Sequence, residues 1–308
     1  MSNLRRFTRI LFSPLGRHDN SLAVRNVAKL VVDTSARLTL YGVIPEPGGL
    51  RRLLPGTDLD RELRDGQRSE LERELSKWGR RIGGAEVETV VEFGNPAVSI
   101  IERVMANGHD LVVVTSDDQA DQATVKRLQR KCPCPVWVIR PTRARTLRVL
   151  AAVNPDATEV DLNHLILELA SSMVELHGGE LHVAHAWELP GEATLRQSPR
   201  FRGSRTEIDT LLHNVRTNRE RSLDQLLAHD PIADAPWQIH LVKGAPAHVI
   251  TELATELAIN LLIIGTTART GMSGLVMGNI AENILDHVDC SVIALKPPGF
   301  VSPIAAPV

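Results

Sequence analysis

The residues best suited to chemistry are glycines, an amide and one guanidinium near the C-terminus. Gly265 to Ile280 reads GTTARTGMSGLVMGNI and joins an aliphatic run to a helical one, IAENILDHV. Gly265 ends the run with a bare backbone that a ligand can approach closely. Gly278-Asn279 opens the helix, and the amides of Asn279 and Ile280 are donors without intrahelical partners, a natural seat for phosphate. Arg269 adds mobile positive charge, and Thr266 and Ala268 complete the turn. An open parallel sheet binds ligands at the carboxyl ends of its strands, where the strand order reverses. Asn154-Pro155 and Ala184, near the ends of two other aliphatic runs, therefore join the candidate set. This chemistry is binding. No GxSxG elbow, no GxxxxGK[ST] loop and no nucleophile with its base is present, so a non-catalytic protein is expected.

The elements that must position this turn come from a repeat. Phe93 to Thr115, FGNPAVSIIERVMANGHDLVVVT, aligns with Lys243 to Gly265, KGAPAHVITELATELAINLLIIG, at an offset of 150. Outside it, Leu38–Leu40 matches Leu181–Val183, Pro135-Val136 matches Ser291-Val292, and Ser13-Pro14 matches Asn154-Pro155. Aliphatic runs at 10–12, 38–43, 86–91, 111–115 and 136–139, and at 149–153, 181–186, 237–242, 261–264 and 291–295, are expected as buried parallel strands. Val24, Val27, Ala28 and Val31, and Leu162, Leu165, Ile166 and Leu169, follow the helical stripe. Pro96 and Pro246 suit a first helical turn and Gly108 a helix end. The fold class is α/β: two tandem open parallel-sheet, Rossmann-like, five-stranded domains with helices on both faces. Their extents are 1–141 and 146–300, with Thr142 to Thr146 as a polar link. Segments 46–57 and 188–205 are expected as loops, and Arg51, Arg52, Arg200, Arg202 and Arg205 as their solvated charge. After its fourth run the first repeat has no glycine and carries Asp117, Asp118 and Asp121, so it is expected to lack a phosphate site.

Composition agrees. Lys and Arg total 35 against 37 for Asp and Glu, a net charge of −2, which gives no footprint for nucleic acid. No membrane span or secretory leader is apparent, so a cytoplasmic location is expected. Three cysteines make no disulfide framework. Cys132 and Cys134 are expected to pack at a strand entry, not to bind metal. His182 and His185, three apart on one strand, face opposite sides; His185 and Trp187 fall near the candidate pocket.

Together the two parallel domains, the GxPA turn and the strand-four glycine followed by Gly-Asn resemble universal stress proteins, in particular the tandem, UspE-type branch. The resemblance runs from about Thr8 to Pro298. It implies a cytoplasmic stress-response role and pairing of domains through their last strands, with a homodimer left open. It also implies ATP or AMP in the second domain, since nucleotide-binding members carry an Asp after strand one and G-x2-G-x9-G-S/T after strand four. Here those positions hold Asn154, Gly265, Ala268, Gly278 and Asn279. If Ala268 has positive φ, its Cβ costs about 1–2 kcal/mol, roughly tenfold in affinity. Two alternatives stay open: a partner-binding regulator with a vestigial pocket, and a pocket for a non-nucleotide amphipathic ligand. An enzyme acting at an α-phosphate has only fold analogy behind it.

Overall fold

The structure is a computed structural model that describes residues 7–15, 21–46, 57–83, 86–116, 119–155, 160–198, 205–229, 237–266 and 277–304. In chain order the first half gives β1 (Arg9–Pro14), α1 (Ser21–Thr34), β2 (Arg37–Ile44), α2 (Asp58–Ile82), β3 (Val87–Phe93), α3 (Pro96–Asn107), β4 (Leu111–Thr115), α4 (Gln119–Lys131) and β5 (Val136–Ile139). The second gives β6 (Leu147–Ala152), α5 (Val160–His177), β7 (Gly179–Trp187), α6 (Glu192–Gln197), α7 (Arg205–His229), β8 (Trp237–Lys243), α8 (Pro246–Glu256), β9 (Leu261–Gly265), α9 (Asn279–His287) and β10 (Ser291–Leu295). Each of the ten expected strands is present. Wholly apolar runs such as LVVV of β4 are buried at every position, because helices cover both faces of a parallel sheet.

Helix ends follow local chemistry. Asn95 caps α3 by accepting from Val98 N at 3.2 Å, and Pro96 takes the first turn. Gly108 adopts the left-handed conformation and closes the helix onto Val104 O at 2.9 Å.

Packing divides the chain into two compact units. The first holds Met1–Arg143, Thr266–Gly278 and Asp289–Val308; the second holds Ala144–Gly265 and Asn279–Val288. The first has strand order β3-β2-β1-β4-β5-β10 and the second β9-β6-β7-β8. All pairs within these units are parallel except β5 with β10, where Val292 lies opposite Val138 and Ile293 opposite Trp137. That antiparallel pair joins the last strands of the two sequence repeats, and it is why β10 packs with the first unit. In the first unit Leu11, Tyr41, Val112 and Val114 share a core with Ile100, Ile101 and Val104 of α3 and Leu128 of α4. The opposite face receives α2, whose Leu71 and Leu75 approach the bare backbone of Gly42.

The repeat is legible in hydrogen bonds as well. Asp110 accepts from the backbone of Thr8 and Arg9, and Asn260 accepts from Arg148 N. Arg9 donates to Asn107 O at 2.8 Å, and Arg148 to Leu257 O at 3.2 Å, each reaching a carbonyl at a helix end.

One expectation is corrected. Segment 188–205 is not all loop, since α6 forms within it. Glu192 and Arg196 stand one turn apart at 2.8 Å, and Lys243 reaches Glu192 at 2.6 Å. Gly191 precedes α6, and glycine is accepted at a helix start as well as in a loop. Residues 47–56 and 199–204 of the two expected loops lie outside the described residues.

Candidate functional site

In the second unit β6 has β7 on one side and β9 on the other. The order reverses there, and the carboxyl ends of β6 and β9 flank the switch point. Ala152 is in register with both Ile264 and Ala184, so Asn154 and Gly265 leave the sheet at one edge. Val153 N donates to Ala184 O at 3.0 Å, which fixes the last residue before the turn. His185 Nδ1 donates to Val153 O at 3.1 Å from a buried ring.

Asn163, on α5, is a site residue that the sequence pattern placed only in a helix. Its Oδ1 accepts from Asn154 N at 2.9 Å and its Nδ2 donates to Asn154 O at 2.5 Å. The buried amide thus replaces a missing turn of backbone pairing and holds Asn154 and Pro155, both half-buried, in place. The signal was available: an asparagine inside an apolar helical stripe.

Gly265 has a second reason to be glycine. A Cβ there would stand 2.5 Å from Leu162 Cδ2, so its bareness lets α5 approach the strand. Its counterpart in the first unit is Thr115, whose Oγ1 accepts from Leu15 N at 3.2 Å and donates to Leu15 O at 3.3 Å. Leu15 and Thr115 are both buried. One hydroxyl thus ties the ends of β1 and β4 together, a tie that Gly265 cannot supply. Tyr41 stands at the position of Ala184 with a ring buried in the core and donates to Glu92 at 2.5 Å.

Thr266 is committed elsewhere. Its amide and hydroxyl both donate to Leu295 O, at 2.9 and 3.0 Å, and it is buried. Thr266 and Gly278 group with the first unit by packing. Asn279 and Ile280 are exposed at the start of α9. Ala268 and Arg269 lie outside the described residues, as do Asp117, Asp118, Arg51, Arg52, Arg200 and Arg202.

Cys132 and Cys134 are buried with sulfurs 3.6 Å apart, and the neighbouring Cys132 and burial push the Cys134 thiol up. Among the described residues no group of three or more His, Cys, Asp or Glu is placed to hold a metal ion, and no helix is long and apolar enough to cross a membrane.

His182 points away from this edge. Its Nδ1 lies 3.1 Å from His240 Nε2, and Glu180 and Arg148 are its charged neighbours. Burial lowers both imidazoles below the ordinary value of 6.5. The unfolded chain then binds protons that the folded pair resists, so stability is full above about pH 6.5 and falls as pH drops through it. Urea midpoints followed from about pH 7.5 down to about pH 5.5 should therefore decline, and His240→Gln should flatten the decline. An identical slope in that variant would assign the effect to other groups.

The model of the Universal stress protein family matches residues 8–140 and 148–296. Universal stress protein E of Escherichia coli K12 is 28% identical over 233 residues, 72% of each chain. A universal stress protein E homolog of Haemophilus influenzae is 26% identical over 280 residues, covering 86% of this chain and 87% of its own. Among solved structures, a functionally unknown Pseudomonas aeruginosa PAO1 protein superposes with TM-score 0.68 at 24% identity, over 96% of this chain and 94% of that one. A universal stress protein of Archaeoglobus fulgidus does so with TM-score 0.59 at 18% identity, over 96% and 98%. Both share the fold.

Proposed function

The chain belongs to the universal stress protein family, as two family domains in tandem, and from that premise we propose a non-catalytic, cytoplasmic stress-response protein whose second unit binds a phosphate-bearing small ligand. The ligand class is a nucleotide, ATP or AMP in the first instance. The observation that carries this reading is the contrast at the two switch points: Thr115 latches the first to Leu15, and Gly265 leaves the second without that latch. Asn154, set by Asn163, and the first-turn amides of α9 at Asn279 and Ile280 supply polar groups for phosphate. Binding there needs no base or nucleophile.

One observation favours a second reading, a partner-binding regulator with a vestigial pocket. Thr266 spends both its donors on Leu295 O and offers a phosphate neither.

Mass spectrometry of small molecules released from the purified native protein on denaturation tests the two readings, followed by titration with ATP and AMP. Release of ATP, ADP or AMP, or saturable binding, supports the first. An empty protein that binds neither nucleotide at millimolar concentration supports the second. ATP turnover above a no-protein control would overturn the non-catalytic assignment.

A further inference from the structure

At the opposite, amino-terminal edge of the first unit's sheet lies a pocket of about 270 Å³, lined by Arg9, Arg37, Thr39, Glu86, Glu88 and His109 with Leu38 and Asn107. That volume is well above the ~10–15 Å³ that one water molecule needs. Its groups are ordered across the sheet. Glu86 and Glu88 stand on the β3 side, Arg37 and Thr39 on β2, Arg9 on β1, and His109 just ahead of β4. Residues two apart on a strand share a face, so Arg37 and Thr39 lie together, and Arg9 is in register beside Arg37.

The fold does not require this set. The second repeat builds the same corner from other residues. Arg148 keeps the role of Arg9, but its register partner is Glu180, with which it pairs at 3.2 Å, where Arg9 has Arg37 beside it. Gln238 stands for Glu88 and Ile259 for His109. The sister corner has its own buried imidazole, His182, at the place of Thr39, so what is particular to the first repeat is the second guanidinium beside the first, the carboxylate at 88 and the ring at 109.

His109 is the deepest of them, 7% exposed. Its Nε2 lies 3.0 Å from Thr39 Oγ1, its buried Nδ1 faces the Arg103 backbone without a well-formed hydrogen bond, and the charges of Arg103, Asp110 and Glu88 also act on the ring. Ile259 holds this place in the sister repeat, so the polar ring at the floor of the pocket is particular to the first.

The sign of the charges selects its class. A bare anion would meet Glu86 and Glu88, and a bare cation would meet Arg9 and Arg37. A dipolar molecule meets both signs at once, in place of the exposed Arg37–Glu86 pair. We propose that this pocket binds a small zwitterion of the free amino-acid class, its ammonium against Glu86 and Glu88 and its carboxylate against Arg9 and Arg37. Arg9 donates once to Asn107 O and keeps further N–H donors for a carboxylate. Arg37 and Glu86 meet at 3.0 Å, but both are exposed, so water already screens the pair and a ligand parts it at small cost. Glu88 is held by Arg103 at 3.1 Å, which fixes its carboxylate for the ammonium.

The test titrates the full-length protein, by calorimetry, with each of the twenty free L-amino acids, with N-acetylated and C-amidated counterparts, and with inorganic phosphate. At least one free amino acid should bind with Kd below about 1 mM, tenfold or more tighter than either blocked form. Glu88→Gln and His109→Ile, which install the residues of the sister repeat, should each weaken it at least tenfold with circular dichroism unchanged. The proposal is overturned if no free amino acid binds at about 10 mM, if phosphate or a blocked form binds as well, or if both folded variants bind like the parent.

Discussion

Gly278→Asp is expected to lose ligand affinity by at least about 30-fold in equilibrium binding of ATP or AMP while its folding stability holds or rises. The two effects share one cause. Position 278 immediately precedes α9, the place of an N-cap. Aspartate is a preferred N-cap, because its carboxylate accepts from first-turn amides, and it outperforms glycine there by a few tenths of a kcal/mol. Those are the amides proposed to hold phosphate. The variant would occupy the anion seat with its own carboxylate, and like charge at the site costs several kcal/mol, or about 2 kcal/mol at the low end for 30-fold. A merely structural glycine predicts the opposite pattern, with stability lost and no specific change in binding. Unchanged affinity in a stable Gly278→Asp protein would remove the α9 N-terminus from the site.

The largest expected effect on stability lies at Gly179→Ala. Gly179 opens β7 at φ 148°, and a Cβ there would stand 2.1 Å from Leu147 O, the carbonyl of its own register partner on β6. Backbone oxygen cannot swing aside as a side-chain tip can. Overpacking of this kind costs about 1–3 kcal/mol and the positive φ about 1–2 kcal/mol more. A loss of about 3 kcal/mol or more should appear in urea denaturation, with hydrogen exchange accelerated first in β6 and β7. Gly66 is the control. It sits exposed inside α2, and an alanine methyl there would have nothing within 4 Å, so Gly66→Ala should stabilise by about 0.5–1 kcal/mol. Equal midpoints for the two variants would mean that the β6–β7 contact relaxes freely.

Much of this was written in the chain order. Short aliphatic runs at regular spacing can be buried only as parallel strands covered on both faces, so ten strands, the α/β class and the tandem repeat were legible from local pattern. Pro96, Pro246 and Gly108 announced helix ends because each restricts or frees its own φ, a property of one residue. The start of α9 at Asn279 was legible for the same reason. Tertiary structure decided what depends on residues far apart. That Asn163 would bind the main chain of Asn154 needed α5 packed on the sheet. That Thr115 would latch Leu15, 100 positions away, needed β1 and β4 in register. That Gly265 serves the approach of Leu162 as much as any ligand needed the helix seated on its strand. The charged pocket around His109 draws on four separate stretches of chain and leaves no local periodicity at all. Periodicity records which face a residue turns inward. Only the assembled sheet decides which side chain meets it there.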